Sequence, residues 1–326
     1  MRYAVGIDLG GTRIKGALVD GRGNLVTAAK TATAAAQGVE VVIERIRRLI
    51  AELLLSVPKG GTVVGVGLAV PGVIDMPSGT VLFLPNLPGG WSDVPLARLV
   101  GDHFGLPTHL LNDARAATLG EKRYGSGRNS RNMVCLTLGT GIGGGIIIND
   151  ELYFGSEGTA GEVGHQTVEL HGPPCNCGNE GCAEALASGP ALAALAVKAV
   201  MQGATTKIRD LAEGDLNRIT PKLVSQAAAL GDPVALGIIR KVGGYIGTAI
   251  ANLVAVLNPD MVVVGGGVAQ AGPALFQAIE ETVASRVHVA KGGRGNVVIV
   301  PAGLGEDAGV AGAAAWALER AGDSRS

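Results

Sequence analysis

Tyr3-Ala4-Val5-Gly6-Ile7-Asp8-Leu9-Gly10-Gly11-Thr12-Arg13-Ile14-Lys15-Gly16-Ala17-Leu18-Val19 reads as an apolar strand, a glycine turn and a second apolar strand, with a carboxylate near the end of the first. Asn24 to Ala29 continues as a third strand, so the chain opens on a β-meander; a dinucleotide fold would pass from strand directly into helix. The arrangement recurs later, with a strand at Met133 to Leu138, a glycine turn at Gly139 to Gly145 and a strand at Ile146 to Asn149. Two copies of strand, glycine turn, strand indicate a duplicated core.

Backbone N–H groups in such turns can approach phosphate closely, and Asp8 beside Gly10, Gly11 and Thr12 suits a Mg²⁺-nucleotide. Gly139-Thr140-Gly141 is the partner turn. A single glycine turn is as readily a plain tight hairpin; two of them, with Gly265-Gly266-Gly267 after a third strand at Met261 to Val264, favour phosphate binding. Gly139, Gly141 and Gly144 also match the dinucleotide glycine fingerprint, but the run leads into Ile146-Ile147-Ile148 and not into a helix, so the required context fails. The P-loop motif is absent from the sequence. Paired glycine hairpins with an acidic strand end are the phosphate device of α/β actin-like ATPase folds, which are hexokinase-like and ribonuclease H-like in architecture.

At 326 residues the chain can form two domains, each with its own core. Its 27 basic and 28 acidic residues nearly cancel, which gives no reason to expect nucleic acid or an anionic membrane as partner. The amino terminus enters a strand pattern without a charged-then-apolar leader, and a cytoplasmic protein is expected. Val39 to Leu55 has apolar positions at helical spacing, and Leu96 to Phe104, Ala114 to Tyr124, Leu192 to Met201, Pro221 to Ala229, Pro233 to Leu257 and Ala308 to Arg320 also read as helices. The charge-free run from Val242 to Pro259 contains Gly243, Gly244, Gly247, Asn252 and Asn258, so a buried helix is predicted there, not a membrane span.

One loop has its own chemistry. His165, Cys175, Cys177 and Cys182 supply an imidazole and three potential thiolates, a set that fills tetrahedral Zn²⁺ without room for water, so the metal is expected to be structural. A disulfide is the plainer alternative, but three cysteines cannot pair completely and Cys175 and Cys177 are too close to bridge easily. Cys135, in the apolar run Met133 to Leu138, reads as a small core residue. Glu162 and Glu184 flank the cluster, and two anionic side chains beside a metal knot suit a polyhydroxylated ligand.

Asn112-Asp113 falls between a strand and a helix, where Asn and Asp are favoured as caps. A cap and a catalytic role can coexist. Asp113 is the natural general base if phosphate is transferred to a hydroxyl, a reaction that needs orientation, charge neutralisation and one proton acceptor.

Together, Asp8 to Thr12, Asn112-Asp113, Leu138 to Gly145, Ala160-Gly161-Glu162 with Gly164-His165, the cysteine loop and Val264 to Gly267 resemble the ROK sugar kinases along the whole chain, with the bacterial glucokinases of the family most similar. The resemblance implies a two-domain fold with an interdomain cleft: residues 1–112 plus 307–326 as a small domain, and 113–306, with the zinc loop 165–182, as a large one. It implies ATP phosphates at Gly10, Gly11, Thr12, Thr140 and Gly141, adenosine near Gly265, Gly266 and Gly267, and Mg²⁺ near Asp8. Sugar hydroxyls would meet Gly72, Asn86, Asn112, Asp113, Glu162, His165 and Glu184, with one ring nitrogen of His165 on zinc and the other facing the sugar. Arg13 and Lys15 read as surface charges. The implied activity is phosphorylation of a hexose at its 6-hydroxyl, glucose first and an N-acetylhexosamine or fructose second, with polyphosphate as another conceivable donor and a homodimer or homotetramer as the assembly. Two other classes are weighed: a sugar-sensing regulator of the same family, for which a DNA reader ahead of residue 3 has no place, and an actin-like ATPase without sugar, which would not explain the carboxylates beside the metal loop.

Overall fold

A computed structural model describes residues 1–84, 87–287 and 297–323. The chain divides into two compact units, one comprising Met1–Asn129, Phe154–Thr159 and Gly303–Ser326 and the other Ser130–Tyr153 and Ala160–Ala302. In the first, β1 (Arg2–Leu9), β2 (Arg13–Asp20) and β3 (Leu25–Ala32) form the opening meander, followed by α1 (Val39–Leu54) and β4 (Thr62–Val70). Three short strands, β5 (Val73–Asp75), β6 (Thr80–Phe83) and β7 (Ser92–Val94), make a small antiparallel sheet before α2 (Leu96–Phe104), β8 (Thr108–Asn112) and α3 (Asp113–Tyr124). The main sheet has the order β3-β2-β1-β4-β8, antiparallel through the meander and parallel from β1 to β4 to β8.

The second unit repeats this plan. β9 (Met133–Leu138), β10 (Ile142–Ile148) and β11 (Glu151–Leu152) are its meander, and β12 (Met261–Gly265) and β13 (Val298–Pro301) join β9 in parallel. The order β11-β10-β9-β12-β13 matches the first sheet strand for strand, so the duplication predicted from two glycine turns extends to five strands in each unit. Between β11 and β12 lie α4 (Ala183–Ala187), α5 (Gly189–Met201), α6 (Lys207–Leu211), α7 (Pro221–Ala229) and α8 (Pro233–Leu257); α9 (Pro273–Arg286) follows β12, and α10 (Ala308–Asp323) returns to the first unit.

Packing explains the elements. The apolar stripe of α1, Val42, Ile43, Ile46, Leu49, Ile50 and Leu53, is buried against the first sheet. At roughly 1.5–3 kcal/mol per buried aliphatic side chain, this burial holds the helix, and a single Ile46→Asp change would undo it. The alanine-rich α10 approaches the sheet much more closely: a Cβ on Gly6 would lie 2.1 Å from the carbonyl oxygen of Val310, and one on Gly67 1.8 Å from that of Ala313. The same closeness joins α10 to α3, where a Cβ on Gly312 would meet the Ala116 oxygen at 1.6 Å. This packing keeps α3 with the first unit, which runs to Asn129, includes Phe154–Thr159 and resumes at Gly303, whereas the sequence suggested 112/113 and 306/307.

α8 is long and apolar enough to cross a bilayer, yet half of its most apolar window is buried, with Val242, Ile246 and Ile250 in the core of the second unit and α9 packed along Gly243 and Gly247. The glycine run also differs from its sequence reading. The turn is only Gly139–Gly141; Gly143, Gly144 and Gly145 lie inside β10. A Cβ on Gly144 would stand 2.5 Å from Val163 Cγ2 and 2.6 Å from the Cys135 oxygen, so these glycines allow the 161–165 segment to lie directly on the strand.

Candidate active site

In the first unit the candidate residues collect at the carboxyl ends of β1, β4 and β8, where parallel strands of α/β sheets present ligand sites. Asp8 pairs in register with Lys15 on β2, and a Cβ on Gly309 would lie 2.9 Å from Asp8 Oδ2, so only glycine leaves room for the carboxylate beside the start of α10. Burial pushes the Asp8 carboxyl above its ordinary range, and the Lys15 ammonium partly opposes this. Lys15 forms an ion pair at the surface: its Nζ donates to the Glu306 carboxylate at 2.8 Å and to the Glu306 carbonyl at 3.1 Å. Arg13 is exposed.

The Gly10–Thr12 turn closes through the Gly10 N–H on the Arg13 carbonyl at 3.1 Å. Fully buried Thr33, which sequence reasoning missed, braces it: its hydroxyl donates to the Gly10 carbonyl at 2.6 Å and its N–H to the Thr12 carbonyl at 3.0 Å. At the end of β8, Asn112 takes the cap duty. Its Oδ1 accepts the N–H groups of Ala114 at 3.1 Å and Arg115 at 3.3 Å, and its Nδ2 donates to the Gly72 carbonyl at 3.3 Å. Gly72 has φ +86°, a conformation that favours glycine. Asp113 is the first residue of α3, with Oδ1 accepting the Ala114 N–H at 2.8 Å. Gly72, Asn112 and Asp113 are thus brought together, while Asn86 lies outside the described residues. Buried Glu121, also missed, accepts the N–H groups of Ser126, Gly303 and Leu304 at 2.8–3.0 Å and fixes the point where the chain re-enters this unit.

In the second unit, the Gly139–Gly141 turn and the Gly265–Gly267 segment meet. Gly266, at φ +89°, would place a Cβ 2.4 Å from the Leu138 oxygen. A cavity of about 750 Å³ opens beside them, lined among others by Thr140, Pro221, Gln226, Gly267 and Gln270, a size suited to a nucleoside. The lining side chains of α7 carry no sequence motif and were not anticipated.

The metal loop is equally compact. The ligand atoms of His165, Cys175, Cys177 and Cys182 all lie within 4.8 Å of one another, with His165 Nδ1 3.7 Å from Cys175 Sγ and Cys177 Sγ 3.8 Å from Cys182 Sγ. A tetrahedral Zn²⁺ with bonds near 2.3 Å separates its thiolates by about 3.8 Å, so the donor set fits that ion in both chemistry and spacing. Among protein groups alone, burial first and then the neighbouring thiols push the Cys182 thiol up to about 12, whereas the Asn179 backbone N–H chiefly lowers that of exposed Cys177. A bound cation would let all three ionise at neutral pH. Glu162 precedes the 3₁₀ turn Val163–His165, whose His165 N–H donates to the Glu162 carbonyl at 3.1 Å. Glu184 lies in the first turn of α4, directly after Cys182, and its Oε2 accepts the Ile142 N–H at 2.8 Å.

Comparison with known proteins gives the family. The chain is 39% identical over 318 residues to a glucokinase of Thermotoga maritima, covering 98% of each chain. It superposes on the crystal structure of a ROK family glucokinase from Streptomyces griseus in complex with glucose and AMPPNP with a TM-score of 0.81 at 36% identity, covering 97% of this chain and 99% of that one. It is also 31% identical to a xylose repressor of Bacillus subtilis, over 94% of this chain and 74% of the repressor. The ROK family model matches residues 4–320, nearly the full span of both units, and with these relatives it establishes that the chain belongs to the ROK family.

Proposed function

We propose that the protein transfers the γ-phosphoryl group of ATP to the 6-hydroxyl of a hexose, with glucose as the preferred acceptor. The observation that carries this reading is the match along nearly the full length of both chains to a glucokinase holding glucose and a non-hydrolysable ATP analogue. The site residues support it. Asp113 would accept the hydroxyl proton as the oxygen attacks phosphorus, and Asn112, because it already caps α3 and holds the Gly72 carbonyl, would present that carboxylate in a fixed place. Glu162, His165 and Glu184 would hold the remaining sugar hydroxyls, with Gly72 and Asn86 as further contacts. With Nδ1 turned toward the thiols, His165 keeps Nε2 to donate to a hydroxyl.

Gly10, Gly11, Thr12, Thr140 and Gly141 would meet the phosphates, and the cavity beside Gly265–Gly267 the adenosine. Asp8 would hold the Mg²⁺ that accompanies the nucleotide and neutralises phosphate charge. His165, Cys175, Cys177 and Cys182 would hold a structural Zn²⁺ that fixes the loop carrying Glu162 and Glu184. A cytoplasmic setting, in which thiols stay reduced, and a homodimer or homotetramer complete the reading.

A coupled ADP-release assay with glucose, mannose, fructose, N-acetylglucosamine and N-acetylmannosamine tests it. Glucose should give the highest kcat/KM. An N-acetylhexosamine ahead of glucose would replace the substrate, polyphosphate ahead of ATP would replace the donor, and sugar binding without turnover would place the chain with the sugar-sensing members of the family.

A further inference from the structure

Glu184 contacts something a sugar-binding carboxylate does not need. Its Oε2 accepts the N–H of Ile142, the residue that follows the glycine turn, at 2.8 Å. The contact is close enough that a Cβ on Gly141 would fall 2.3 Å from the same oxygen, so glycine at 141 makes room for the carboxylate. Within the turn the Gly139 N–H is used by the Gly141 carbonyl, and the Gly139 carbonyl accepts the N–H of Gly189 at 2.8 Å. Among the described residues, no partner is found for the N–H groups of Thr140 or Gly141. Those are the two groups positioned for phosphate.

Behind Glu184 stands the metal loop. Cys182 immediately precedes α4, the Ala183 N–H donates to the Gln166 carbonyl at 2.9 Å, and the Ser188 N–H donates to the Glu184 carbonyl at 3.1 Å, so the backbone is held on both sides of Glu184. A carboxylate beside a phosphate-binding turn is electrostatically unfavourable for a polyanion. Its presence there is explained if it fixes the turn from behind.

We infer that Glu184 is a positioning residue for the nucleotide: it clamps the Gly139–Gly141 turn to the metal loop, so affinity for the phosphate chain depends on that loop even when no sugar is bound. This rests on reading Gly139–Gly141 as a phosphate turn, and it goes beyond the sugar contact assigned to Glu184 above.

The test is equilibrium binding of Mg²⁺-AMPPNP to the full chain without sugar, by calorimetry. Glu184→Ala removes a charge-assisted hydrogen bond to backbone and should weaken binding about tenfold. Glu184→Gln keeps an oxygen able to accept the Ile142 N–H, and should bind AMPPNP within about threefold of wild type while losing sugar affinity. That split separates positioning of the turn from a general structural defect. Gly141→Ala displaces the carboxylate without altering it; it should weaken binding to a similar degree, and should add little in the Glu184→Ala background. Wild-type AMPPNP affinity in Glu184→Ala, or full additivity of the two changes, overturns the clamp and leaves the phosphate-turn reading intact. Failure of the wild-type protein itself to bind AMPPNP overturns the phosphate-turn reading, and the clamp with it.

Discussion

Gly10-Gly11-Thr12 and Gly139-Thr140-Gly141 occupy the same place in two sheets of identical strand order, yet Thr33 holds one and Glu184 the other. The first brace is a neutral hydroxyl from just beyond β3, within the same meander. The second is a carboxylate from the first turn of α4, which follows a loop built around four metal-type ligands. The strand ends differ as well. Asp8, one residue before the last of β1, corresponds to Thr137 in β9, so at this strand position the first copy carries a carboxylate and the second a hydroxyl. At the end of β8 the first unit presents Asn112 and Asp113, whereas at the end of β12 the second presents Gly265, Gly266 and Gly267 beside a nucleoside-sized cavity. On the proposed reading, the duplicated scaffold would be divided by role, with the magnesium carboxylate and the proton acceptor in one copy and the adenosine cavity and the metal loop in the other.

The largest expected effect tests the chemical half of that division. Asp113→Asn keeps the shape and the contact with the Ala114 N–H but removes the base, and should lower kcat by about 10³-fold, within the range for general base catalysis. AMPPNP affinity and metal content, to which the proton acceptor would not contribute, should be unchanged. Near-normal turnover would remove Asp113 from its role and dissolve the contrast.

Next comes Asp8 against its counterpart. Asp8→Asn should reduce kcat by about 10²-fold and raise the Mg²⁺ requirement, while Thr137→Ala should change kcat less than about threefold. Stability should move the opposite way. Burial raises the Asp8 carboxyl from its ordinary value of 3.8, so the folded state binds its proton more tightly than the unfolded state does. Ionising Asp8 therefore costs stability as pH rises above that value, and the cost is absent in acid. The Tm of Asp8→Asn should exceed that of wild type at neutral pH, and the gap should close toward about pH 4. A gap of the same size at every pH would mean that the carboxylate is not destabilised by its surroundings.

The legible parts of the molecule were those whose physics is local. A glycine turn between two apolar runs specifies a hairpin wherever it occurs, which is why the first meander and the β9–β10 hairpin could be read, whereas the two-residue β11 could not. The Cys₃His spacing was equally plain, because metal geometry constrains four residues within a short stretch. Thr33 was not legible: it stands between Ala32 and Ala34 with no motif, and its partner carbonyl is 23 residues away. Glu121 sits beside Lys122 and Arg123 in a helix whose pattern suggests solvent, and its acceptors' partners at Gly303 and Leu304 are 182 and 183 residues distant. β5 and β7 are three residues each, too short for an alternating pattern to register. Gly143 to Gly145 read as turn because glycine is depleted in strands, and only the packing of Val163 against Gly144 shows why they are strand.

The smallest effect probes the brace of the first turn. Thr33→Val is nearly isosteric and fully buried, so it removes the hydroxyl bond to the Gly10 carbonyl while leaving the Thr33 N–H on Thr12. One neutral hydrogen bond is worth about 1 kcal/mol, so the ATP KM should rise about fivefold with kcat nearly unchanged, and stability should fall by a similar energy. Because the hydroxyl carries no charge, this rise should not vary with ionic strength. The loss in Glu184→Ala should depend on it, since a carboxylate near phosphate is subject to screening. Equal salt dependence for the two variants would show that the braces are interchangeable, and that the carboxylate is at the second turn for the sugar alone.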